Sequence, residues 1–176
     1  MTQDVMNPKV INPVFALPEP LSQLPVAEVV PHKDPMILID TLISYVPDTL
    51  VTQTHITPSS PYFDDTINAV PNYVGIEYMA QSVAALAGVE AKSRGDIIRV
   101  GFLLGSRKLK MHIPHYQLGE SYQTHVTRLY QEESGLAVFD CKVFHHETLV
   151  AEANVNVFQP QDTQTYILES QQEDKK

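Results

Sequence analysis

The chain has no tryptophan, one cysteine and seven glycines in 176 residues, and its 12 basic residues are outnumbered by 21 acidic ones. Each shortage removes a class of protein. With Cys141 alone, disulfide frameworks and cysteine-ligated metal centres are excluded. That residue lies in an alternating apolar segment, 139–144, and is expected to be a buried core thiol. A formal charge of -9 sets the surface as a whole against nucleic acid and anionic membrane. No run of residues approaches the ~18 to 20 apolar positions that span a bilayer, and the first residues lack the basic-then-apolar pattern of a secretory signal. A cytoplasmic protein without a membrane span is expected.

What is present suffices for a core. Hydrophobic residues make up 43% of the chain and charged ones only 19%, which suits one globular domain. Residues 1–27 carry Pro8, Pro13, Pro18, Pro20 and Pro25, which block regular structure and predict an extended arm over the domain. The body is expected over 28–160, and 161–176 reads as a mobile tail.

Within the body, an apolar run at 36–39 continues into alternation to residue 45 and predicts a strand, paired through Pro47-Asp48 with a second strand over 50–56. Residues 57–70 form a turn-rich loop. A helix follows over 73–93, with Pro71 and Asn72 at its start and Gly95 as its stop. It holds Ala80, Ala84, Ala85, Ala87 and Gly88, small residues that let a helix lie close to surrounding backbone. Four more strands are predicted over 100–111, 121–130, 136–145 and 148–158. The fold class is therefore α+β, a curved antiparallel sheet closing around one long central helix.

The helix carries Glu77 in its first turns, an acid in a helix otherwise fit for burial. Soluble proteins seldom bury a carboxylate without using it, although a satisfied buried acid is the plainer alternative. A second asymmetry is electrostatic. Lys92, Arg94, Arg99, Arg107, Lys108 and Lys110 fall within 19 residues, opposed only by Asp96. They read either as solvated helix-end and loop charges or as a docking face for an acidic partner.

Two motifs carry a family resemblance over residues 24–158. One is Pro31-His32-Lys33-Asp34-Pro35-Met36-Ile37-Leu38-Ile39-Asp40; the other runs from Pro71 through Glu77 to Gln81. Together they resemble the hotdog-fold β-hydroxyacyl-carrier-protein dehydratases of the FabZ type. The segments Gly75-Ile76-Glu77-Tyr78-Met79-Ala80-Gln81 and Gly101-Phe102-Leu103-Leu104-Gly105 are similar, more closely, to the ApeP-type dehydratases of aryl polyene biosynthesis. The resemblance implies a hotdog fold, subunits paired with active sites between them, and dehydration of 3-hydroxyacyl to trans-2-enoyl chains on an acyl carrier protein in aryl polyene or fatty acyl synthesis. It implies no cofactor or metal. FabZ-type enzymes carry Gly-His-Phe-Pro in the loop before the helix, whereas Tyr62-Phe63-Asp64-Asp65-Thr66-Ile67 stands here without a histidine.

The chemistry defines what must take its place. Dehydration needs a base for the proton next to the carbonyl, an acid for the departing hydroxyl, and donors for charge on the thioester oxygen. Glu77 is one candidate proton carrier, since burial raises a carboxylate's pKa towards a useful range. His32 is the second, because imidazole titrates near neutrality and prolines flank it; capping of the arm is its alternative. His55 is held in reserve. Free N–H groups around Asn72, Tyr73 and Val74 are expected to face the thioester oxygen, and Gln81, four residues after Glu77, to orient that carboxylate. The resemblance adds Gly101 and Phe102 as lining of an acyl tunnel.

Arg94, Arg99, Arg107, Lys108 and Lys110 are expected to meet an acidic acyl carrier protein. A homodimer or a heterodimer with another hotdog dehydratase subunit is the expected assembly. His145 and His146 read as surface residues at a hairpin turn, and His112, His115 and His125 show no metal-ligand spacing. Two other readings stay open, a hotdog thioesterase in which Glu77 activates water and a non-catalytic supporting subunit of a dehydratase heterodimer.

Overall fold

Period-two alternation builds most of the body. In the computed structural model, which describes residues 16–163, β1 (Thr41–Val46) and β2 (Thr49–His55) form the expected hairpin. After the short β3 (Ala69–Pro71) comes α1 (Gly75–Ser93), then β4 (Phe102–Met111), β5 (His115–Gln117), β6 (Ser121–Gln131), β7 (Leu136–His145) and β8 (Thr148–Phe158). Six strands form one antiparallel sheet in the order β1-β2-β6-β7-β8-β4, while β3 and β5 pair apart from it. Along most of β2 and β7 and the first half of β6 every second residue is buried. The buried set, including Leu50, Val126, Phe139, Cys141 and Val143, faces α1. Transfer of such side chains from water, at about 25 cal/mol per Å² of apolar surface, is what holds helix to sheet.

The sheet does not close. Its edges, β1 and β4, lie at opposite ends of the strand order, so the expected closure around the helix becomes a curved sheet laid on one side of it. The strand predicted over 36–45 is also corrected, since only Thr41–Val46 is extended in the ladder. The physical reason is where the upstream backbone bonds go. Leu38 N–H donates to the side chain of Gln81 rather than to a neighbouring strand. The strands β3 and β5 went unpredicted because three residues are too few for a period to register.

The arm is partly integral. Residues 16–28 contain two single-turn 3₁₀ helices, Leu21–Gln23 and Val26–Glu28, and this segment buries Leu21, Leu24 and Val26 in the core with Val29 and Val30 behind them. Gly88 makes this possible, because a Cβ there would overlap the carbonyl oxygen of Val29. Pro8 and Pro13, and nearly all of the predicted tail, lie outside the described residues. Among the described residues, no helix is long and apolar enough to cross a membrane.

Candidate active site

One buried amide joins the two motifs. Gln81 is fully buried; its Nε2 donates to Glu77 Oε1 at 2.9 Å and to Met36 O at 2.8 Å, and its Oε1 accepts from Leu38 N–H at 2.8 Å. The i to i+4 spacing on α1 lets it reach Glu77, and its remaining bonds tie the 31–40 segment to the helix. That tie carries His32 to the carboxylate, with His32 Nε2 lying 3.9 Å from Glu77 Oε1. The other ring nitrogen, Nδ1, is shut from solvent without a hydrogen-bond partner. The pair stands one small movement, or one bridging water, from a hydrogen bond.

Burial of Glu77 is corrected. Its side chain keeps 36% of its exposure and His32 keeps 32%, because both open onto a cavity of about 440 Å³. This cavity runs along α1. Ala80, Ala84, Ala87 and Ala91 share one helix face at spacings of four, three and four, and all line it, as do Arg94 at the far end and Ala137, Phe139 and Val157 from the sheet. The small residues therefore do two jobs. Ala85 and Gly88 are buried on packed faces of the helix, while the Ala80 face leaves room for a guest. From Glu77 to Arg94 the groove follows about 25 Å of helix.

Other expected site residues divide. Gly101, Phe102, Arg94 and Arg99 all line the cavity. Arg99 is paired with Asp96 at 3.6 Å. Arg107, Lys108 and Lys110 lie instead along the exposed edge strand β4, with Lys110 at 3.3 Å from Glu152, so the basic stretch is split between cavity and sheet edge. Tyr73 is 61% exposed and Val74 buried at the start of the helix. Asn72 is not a free donor. Its N–H bonds to Pro114 O at 3.2 Å and its side chain to Ile113 O at 2.9 Å, which anchors the turn that opens α1.

The reserve histidine is placed elsewhere. His55 lies in a separate cleft with Asp40, its N–H donating to Asp40 Oδ2 at 2.6 Å and its Nδ1 3.0 Å from Ser121 Oγ. In the loop that lacks the family histidine, the Asp64 carboxylate is engaged locally. Asp64 accepts from Thr66 Oγ1 and from Thr66 N–H, and these bonds hold its carboxyl below the usual range.

Sequence reasoning missed Arg128 and Glu90, which meet in a two-point ion pair at 3.0 and 2.6 Å on the cavity wall, with Arg128 Nη1 also donating to Asp48. The two lie 38 residues apart on different elements, and only the apposition of α1 with β6 brings them together.

The family model described as ApeP-like, ApeP dehydratase, matches residues 24–168. No curated protein matches the chain. Among solved structures, the dehydratase heterocomplex ApeI:P from Xenorhabdus doucetiae contains a chain 26% identical, with a TM-score of 0.76, covering 82% of this chain and 97% of that one. A hypothetical thioesterase with coenzyme A from Streptococcus pneumoniae is 14% identical with a TM-score of 0.52, covering 67% and 83%. The E. coli PaaI protein is 13% identical with a TM-score of 0.52, covering 69% and 78%. These last two share the fold alone.

Proposed function

We propose, starting from the fact that the chain belongs to the ApeP-like dehydratase family, that it converts 3-hydroxyacyl to trans-2-enoyl chains on an acyl carrier protein in aryl polyene or fatty acyl synthesis. The observation that carries this reading is the convergence of Glu77 and His32 at the head of a cavity floored by alanines. A proton leaves C2, its bonding pair forms the C2=C3 double bond, and the C3–O bond breaks with proton delivery to the hydroxyl, so that water departs. His32 and Glu77 are the two proton carriers. Charge on the thioester oxygen meets the N-terminal end of α1, around Tyr73 and Val74, where the helix dipole is positive. The acyl chain lies along Ala80, Ala84 and Ala87, past Gly101 and Phe102. The cationic side chains of Arg94, Arg99, Arg107, Lys108 and Lys110 receive the acidic carrier.

A partner subunit completes this reading. The edge strand β4 exposes Leu103, Leu104 and Leu109 beside unpaired backbone, a surface suited to a second hotdog subunit, identical or not. The missing loop histidine and the likeness to one chain of a dehydratase heterocomplex favour a second reading, in which this chain supports a catalytic partner.

One experiment separates the readings. The 18 Da loss from a 3-hydroxyacyl carrier protein, about one water, is followed by mass spectrometry for wild type, His32→Ala and Glu77→Gln, each alone and with a candidate partner, with a fall of about 10²-fold or more expected in both variants. Dehydration that survives both substitutions assigns catalysis to the partner, and release of free acid instead of enoyl product would identify a thioesterase.

A further inference from the structure

Away from Glu77, three metal-ligating side chains converge that dehydration leaves unused. His145 ends β7, His146 opens the turn to β8, and Glu120 precedes β6. One ligand atom from each lies within 4.8 Å of the others, and His145 Nε2 stands 2.8 Å from Glu120 Oε2. In an extended chain, successive side chains point to opposite faces, so adjacent histidines diverge. The turn prevents this. His146 takes a φ of 52°, a left-handed value more usual for glycine or asparagine, and its ring comes to 4.4 Å from that of His145. Tyr122, 5.0 Å from the His145 ring, backs it from the core side.

We propose that Glu120, His145 and His146 bind one first-row divalent transition ion of the zinc class and thereby clip the turn before β6 to the β7–β8 hairpin. Two imidazoles and one carboxylate make a borderline donor set for such an ion, with a fourth position left to water. A tetrahedral ion with bonds of ~2.1 Å spaces its ligand atoms about 3.4 Å apart. The hydrogen-bonded His145 and Glu120 need open only slightly, and His146 need swing only inward. Ion entry is open, since His146 is exposed and the Glu120 and His145 side chains keep 44% and 31% of their exposure. Chain spacing gave no sign of this set because Glu120 lies 25 residues from His145.

Calorimetric titration of the untagged full-length protein with zinc chloride, near neutral pH in a non-chelating buffer, tests the assignment. One ion per chain is expected. Because loss of even an outer partner of a metal ligand costs about 10- to 100-fold in affinity, His146→Asn and Glu120→Gln should each weaken binding by at least about tenfold. Asparagine keeps the left-handed turn, so the loss reads the ligand and not the loop. His112→Ala, which removes an imidazole paired with Glu152 at 3.6 Å on another part of the sheet, should bind as wild type. Zinc should also raise Tm in the wild type and not in His146→Asn. Absence of binding, or equal affinity in wild type and His146→Asn, would overturn the proposal.

Discussion

Tyr116 and Gly75 illustrate how a single atom sets the geometry around the site. The Tyr116 hydroxyl is buried without a hydrogen-bond partner and fills the space that a Cβ at Gly75 would need. Gly75→Ala should therefore cost about 1 to 3 kcal/mol by overpacking at the start of α1. Tyr116→Phe removes an unpaired polar atom and should be close to neutral. In that background the next neighbour of the new methyl is Cζ at 3.0 Å, so denaturant melts of the four proteins should return a favourable coupling of at least about 0.5 kcal/mol. Additive losses would show that the hydroxyl is not what excludes the methyl.

His125 gives stability a dependence on pH. Burial chiefly, and the Lys142 cation opposite it on β7 secondarily, hold its imidazole below the ordinary value of 6.5, with the Phe144 ring 4.9 Å away. The unfolded chain then keeps a proton that the folded chain gives up. This contribution to stability is complete above the ordinary value and is lost as pH falls through it to the depressed folded one. Tm of the wild type should drop between about pH 7.5 and about pH 5.5 more steeply than that of His125→Gln, imidazole being the group that titrates in this range. Parallel profiles would remove His125 from the account.

At the scale of the element, α1 is a helix with two small-residue faces of opposite use. The Gly88 face admits the carbonyl of Val29, and the Ala80, Ala84 and Ala87 face leaves the cavity open. Ala84 stands about 10 Å along the helix from Glu77. On the proposed placement of the acyl chain, Ala84→Phe should fill the groove below C2 and C3. Dehydration of 3-hydroxyacyl chains that reach past this point should lose at least about tenfold in kcat/KM, equivalent to about 1.4 kcal/mol, while short chains keep theirs. A uniform loss across chain lengths would mean that the acyl group lies elsewhere.

For the whole molecule, the sheet is open and the basic charge is split between cavity and sheet edge, which makes the proposed docking testable. Two edges remain, and β4 is the one that carries both exposed leucines and Arg107, Lys108 and Lys110. Reversal of Arg107 and Lys108 to Glu should weaken binding of an acidic carrier protein, with the difference from wild type shrinking as salt rises. Fluorescence titration at low and high ionic strength would measure it. Unchanged affinity at low salt would refute docking of the carrier on this basic stretch.

The chain's own pattern determined much of this. Period-two alternation announced β2, β6, β7 and β8, the break at Gly95 stopped the helix near where α1 ends, and the two motifs placed His32 and Glu77 among the site candidates. Local signals of this kind are written in neighbouring residues, and they survive without knowledge of what packs against them. Tertiary structure decided what depends on distance. Gln81 makes three hydrogen bonds, and the two to Met36 and Leu38 join segments some 45 residues apart and divert 36–38 from the predicted strand. Which small residues of α1 touch backbone and which face a cavity depends on where the arm at Val29 and the sheet lie against the helix, and both faces are built from the same small residue types. The exposure of Glu77 likewise follows from a groove that exists only once helix and sheet are assembled, since a void belongs to no single residue.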